Sequence, residues 1–123
     1  MFAKTMPLAA VLAICATSAV ATSQRECLFE RQFFDGVART VALPISIAWN
    51  GSRGVVLVRA VDGGQYDGTT RTGANGAMEM DFRTDVSSET IAIGSGGEAL
   101  WGITFDNGQL MQYAGACGPA RAQ

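Results

Sequence analysis

The chain contains no histidine, and its single lysine is Lys4, near the N-terminus. Those two absences exclude whole classes of chemistry. Without imidazole there is no Ser-His-Asp or Cys-His machinery and no histidine-bearing zinc site. Beyond residue 4 there is no amine for a Schiff base or a Ser-Lys dyad. Charge is sparse as well. Only 16% of residues are charged and the net charge is -2. Arginines and acids alternate along the chain instead of clustering, so there is no basic footprint for nucleic acid or an anionic membrane. Carboxylates, Tyr, Ser and Thr are the remaining catalytic residue types. No catalytic residue, metal site or cofactor is expected, and the chain is read as non-enzymatic.

Long apolar runs are also missing. The one candidate is Leu8-Ala9-Ala10-Val11-Leu12-Ala13, extended by Ile14, Cys15 and Ala16. It follows the positive charge of Lys4 and precedes Ala19-Val20-Ala21, a small-x-small cleavage pattern. Thr17, Ser18, Thr22 and Ser23 dilute the run, which is too short to span a bilayer. A signal peptide over 1–21 is the expectation. A lipobox at Cys15 requires a small residue before the cysteine, and Ile14 is not small.

Removing such a leader takes Cys15 with it. The odd cysteine count of three becomes a pair, Cys27 and Cys117, and an oxidising compartment favours joining them. No Cys-x-x-Cys spacing points to redox catalysis. The expected organisation is a leader (1–21), one secreted β domain (22–117) and a disordered tail (118–123). The localisation is secreted, and periplasmic in a bacterial host.

Period-two alternation dominates, and helical periodicity is hard to find. In 41–49, Val41, Leu43, Ile45, Ile47 and Trp49 share one face and small residues the other, with Pro44 marking an edge or a bulge. A second strand is expected over 54–61. In 77–83, Met78, Met80 and Phe82 alternate with Glu79, Asp81 and Arg83. Ala99, Trp101, Ile103 and Phe105 share a face further on. Further strands are expected over 26–34, 89–93 and 109–117, and a poorer one over 65–71. Turn signals recur roughly every ten residues, including Asn50-Gly51, Asn75-Gly76, Gly94-Ser95-Gly96-Gly97 and Asp106-Asn107-Gly108. The expectation is all-β: one antiparallel meander of about eight strands, barrel-like or a two-sheet sandwich. Cys27 in the first strand and Cys117 in the last meet only if those strands come together, as in a closing barrel.

Several constellations have a plainer explanation than chemistry. Glu79 and Asp81 are spaced like paired carboxylates, but lie on the solvent face of an amphipathic strand. Gly94-Ser95-Gly96-Gly97 has the composition of a phosphate loop, yet a strand follows it instead of a helix. Asn50-Gly51-Ser52 is formally a glycosylation acceptor and also a good turn. The aromatic residues Trp49, Tyr66, Trp101 and Tyr113 suit either a packed core or the lining of a ligand cavity.

The most suggestive local sequence is Asp62-Gly63-Gly64-Gln65-Tyr66-Asp67, a glycine-rich turn with flanking carboxylates. Its residues Asp62, Gly63, Gly64, Tyr66 and Asp67 form the candidate binding loop. The carboxylates could ligate calcium, but lack EF-hand spacing. The layout of leader, about eight strands and terminal cysteine pair resembles several small periplasmic proteins, the C-type lysozyme inhibitors among them. That family presents a Ser-Gly-x-x-Tyr loop to the lysozyme cleft, with a downstream Lys. Here Gly63 and Tyr66 match, Asp62 replaces the Ser, and the Lys is missing. The resemblance implies an inhibitor of an envelope hydrolase in which Tyr66→Ala abolishes inhibition and leaves the melting temperature nearly unchanged. The leading expectation is a binding module for a protein or envelope component, acting through turns and an exposed strand face. A carrier of a small apolar ligand is the remaining alternative.

Overall fold

The computed structural model describes residues 22–58 and 64–122. The expected leader, Cys15, and Asp62 and Gly63 of the candidate loop lie outside the described residues. Eight antiparallel strands form a meander: β1 (Ser23–Phe34), β2 (Val37–Asn50), β3 (Arg53–Val58), β4 (Gln65–Thr72), β5 (Met78–Arg83), β6 (Ser87–Ile93), β7 (Glu98–Phe105) and β8 (Leu110–Cys117). Each pairs with the next, and β8 pairs back onto β1, so the sheet closes into a barrel. Of the two architectures the alternation allows, the barrel is the one formed. Closure removes the free edges that an open meander would expose.

The seam between β1 and β8 is also covalent. Cys27 and Cys117 are direct cross-strand partners and form a disulfide across 90 residues of sequence. A bond of this kind fits an oxidising compartment. Residues 118–123, expected to be disordered, include an outside strand, β9 (Arg121–Ala122), paired with Ser23 and Gln24.

Two positions, one at a turn and one within a strand, show why a glycine is needed. Asp35 and Gly36 join β1 to β2 with φ of 54° and 75°. Positive φ at both central residues matches the right-handed twist of a two-residue hairpin, and Asp-Gly supplies it at low cost. At Gly68 on β4 a side chain has no room, because an added Cβ would collide with the Asp81 carbonyl oxygen and crowd Met80.

Alternate residues fill the interior. Phe29, Ile45, Ile47, Val56, Met80 and Ile91 are fully buried, with Met78, Phe82, Trp101 and Ile103 beside them. The inward set Met78, Met80 and Phe82 agrees with the alternation, as do Leu43, Ile45 and Ile47. In β1 the simple alternation fails. A register shift between Phe29 and Arg31 turns Arg31 and Phe33 outward, where the Arg31 guanidinium lies over the Phe33 ring at 5.4 Å. Pro44 sits opposite Leu28 inside the closed ring, next to that bulge and not at an edge.

Arg25 closes one end of the barrel. It is 7% exposed, and its guanidinium donates to the carbonyls of Gly118 and Gly76, each at 2.9 Å. On the outer wall Arg71 pairs with Glu79 and Asp81.

Candidate functional site

The opposite end of the barrel holds a cavity of about 640 Å³. The β1–β2, β5–β6 and β7–β8 turns lie at this end. Inward-facing side chains of five strands line it: Leu43, Tyr66, Glu89, Trp101, Ile103 and Tyr113 among them. Its size is that of a small-molecule site, its wall is aromatic and aliphatic with polar and charged residues of the β5–β6 turn at the rim, and the mouth of a barrel is a common place for one.

The polar centre is Glu89. On β6 it has the same parity as Ser87, Ile91 and Ile93, all of which are buried. Its neighbours on the adjacent strands are Phe82 and Ile103. Glu89 is therefore carried inward by the strand and is only 8% exposed. Burial of a carboxylate costs several kcal/mol unless hydrogen bonds replace its water. Two donors do so. The Trp101 indole N–H donates to Oε1 at 2.8 Å, and the Ser87 hydroxyl donates to Oε2 at 2.6 Å.

The Ser87 bond fixes the direction of a longer chain. A hydroxyl has one proton, and that of Ser87 is committed to Glu89. Thr84, 2.6 Å from Ser87, is then the donor to Ser87, and it accepts in turn from the Val86 backbone N–H at 3.2 Å. The β5–β6 turn is thus wired to the buried carboxylate. The rim is braced too: Asp106 N–H donates to the Val86 carbonyl at 2.9 Å, and Arg83 forms a two-pronged pair with the Asp106 carboxylate at 2.8 and 3.0 Å. That hydrogen bond, then the charge of Asp106, raises the Arg83 pKa above its ordinary value.

Aromatic rings form two walls. Trp101 lies 5.0 Å from Tyr113 and 5.5 Å from Phe29 between centroids. On the other side Tyr66 stacks on Phe82 at 5.6 Å. Gln32 donates to the Tyr113 hydroxyl at 2.9 Å, so the ring is held at its tip as well as its face.

The candidate loop is divided by this geometry. Tyr66 and Asp67 are strand residues of β4, one facing in and the other out. Tyr66 belongs to the cavity wall instead of a presented tip. Asp67 lines a separate groove on the outer wall, where Gly102 leaves a gap among Asp81, Thr90 and Gln112. Glu79 and Asp81 are satisfied by Arg71 across the β4–β5 pair. Residues 94–97 form a hairpin connection, with Gly94 N–H donating to the Glu98 carbonyl at 2.8 Å.

No motif singles out Glu89. Its signal in the sequence is the alternation Ser87, Glu89, Ile91, Ile93, a carboxylate in phase with buried isoleucines. No protein-family model, curated protein or solved structure matches the chain. The class its architecture defines is a small disulfide-closed meander barrel with a polar-centred cavity at one end.

Proposed function

We propose that this protein is a non-enzymatic binding module, secreted and, in a bacterial host, periplasmic, whose site is the end of the barrel lined by Leu43, Tyr66, Glu89, Trp101 and Tyr113. The occupant is a small, mainly apolar molecule. The observation that carries this reading is the cavity of about 640 Å³ centred on a hydrogen-bonded buried carboxylate and walled by Trp101, Tyr113 and Tyr66. The braced rim favours binding because less order has to be gained when a ligand enters. The cysteine pair and the leader sequence support the compartment.

The test is extraction and mass spectrometry of the protein purified from its own host, beside an Ile103→Trp variant that fills the mouth. A molecule bound to the wild type and absent from a folded variant supports the reading. If neither carries a molecule, and the wild type shows no saturable binding of N-phenyl-1-naphthylamine, the reading fails.

A protein partner is the second reading, favoured by one feature of the outer wall. Leu28 and Leu100 are 41% and 49% exposed, and their cross-strand neighbours are Pro44, Ala116, Ala114 and Ala92. This uncharged band crosses five strands. A photo-cross-linker placed at Leu100 would capture one discrete partner in the native host if that band is used. The same group placed at Ser88 would not.

A further inference from the structure

Among the described residues, the donors to the buried Glu89 carboxylate are the neutral Ser87 hydroxyl and Trp101 indole. Among the described residues, the ion pairs involve Arg71 and Arg83, each with carboxylates other than Glu89. Arg25, the buried guanidinium, binds backbone carbonyls at the far end. Two neutral hydrogen bonds orient the carboxylate and leave each oxygen a second acceptor site. They supply no countercharge, although a buried charge without one is costly.

The surroundings suit a cation. Trp101 and Tyr113 line the cavity with Glu89, and the edge of the Trp101 indole, not its face, is turned to the carboxylate through the N–H. Leu43, Ile103 and Phe105 offer apolar surface for the rest of a ligand. At the rim, Asp85 adds a second acid, while the charge of Arg83 is matched by Asp106.

Resting on the mouth as the binding site, we propose that the ligand is an amphipathic organic cation, an amine whose ammonium group pairs with Glu89 and whose apolar body packs between Trp101 and Ile103. The carboxylate supplies charge selection and the aromatic walls supply contact area. An anionic amphiphile of equal length is rejected, because its head group would meet Glu89 at close range.

Hexylammonium, hexanol and hexanoate separate the possibilities, since they share a tail and differ in head-group charge. Trp49 lies by the opposite end, next to the β2–β3 turn, so a Trp49→Phe variant leaves Trp101 as the fluorescent reporter. Hexylammonium is expected to bind saturably and about tenfold more tightly than hexanol, the scale of exchanging a neutral hydrogen bond to Glu89 for a charge-assisted one. Hexanoate is expected to be weakest. In Glu89→Gln the preference for the amine over the alcohol should vanish while hexanol binding persists. If Glu89→Gln does not fold, the order of the three probes in the Glu89-bearing protein decides, read by the Trp101 indole N–H resonance. Equal affinity for amine and alcohol would overturn the cation and keep the mouth as an apolar site. Binding of none of the three would overturn both.

Discussion

Trp101 on β7 donates its indole N–H to Glu89 on β6 across a diagonal of the inner wall. Trp101 is paired directly with Ile91, and Glu89 with Ile103, so the bond spans one two-residue step of the strand. Diagonal neighbours lie roughly 7–8 Å apart, within reach of a long aromatic side chain. One bond thereby satisfies the polar tip of the largest residue and one oxygen of a buried acid.

Trp101→Phe keeps a ring in the core and removes the donor. It should cost about 1–3 kcal/mol, the penalty for leaving a buried acceptor short of a partner. Urea unfolding reads this as a lower midpoint at unchanged slope. Combining it with Glu89→Gln should recover part of the loss, because the group left unsatisfied is then uncharged. Strict additivity would show that the two side chains are not coupled.

Two glycines should respond in opposite directions to the same substitution. Gly68→Ala drives a Cβ into the Asp81 carbonyl, a backbone atom that cannot step aside, and should destabilise by about 1–3 kcal/mol. Gly102→Ala meets nothing within 4 Å. It should be neutral or stabilising by up to about 1 kcal/mol, since alanine loses less backbone entropy on folding. Paired thermal melts would test the contrast, and equal losses at both sites would contradict the packing described.

Breaking the Cys27–Cys117 bond should lower stability substantially. In the chain-entropy account, a loop spanning a separation of 90 residues contributes roughly 4–5 kcal/mol. The Cys27→Ala, Cys117→Ala double variant and the reduced wild type should show the same large fall in unfolding midpoint. A shift of a degree or two would mean that β1–β8 pairing alone closes the barrel.

Tyr66→Ala should destabilise by about 2 kcal/mol, because it removes the ring stacked on Phe82 and opens the cavity wall. This differs from the behaviour of a presented loop tip. A melting temperature equal to wild type would restore Tyr66 as an exposed recognition residue.

Alternation along the chain is enough to reveal the strands, and with them the inward faces of β2, β5 and β7. Hydrophobic periodicity is local, so it can be read without a fold. The Asp35-Gly36 hairpin is equally local, and the dipeptide is there to be read. The two cysteines limit the architecture further, since first and last strands have to meet. What needs the closed barrel is everything that depends on which strands face one another across the interior. Residues from β2, β4, β6, β7 and β8 come together at the mouth although Leu43 and Tyr113 are far apart in sequence. The bulge that turns Phe33 outward is visible only in the pairing of β1, whose register shifts between Phe29 and Arg31 against both β2 and β8. Glu89 illustrates the division: the sequence puts it in phase with Ile91 and Ile93, the pairing of β6 with β7 gives it Trp101 as a donor, and closure gives it a cavity to face. Strand identity is a property of neighbouring residues, whereas a site is set by inter-strand register, which the turns fix within each hairpin and ring closure fixes only between β1 and β8.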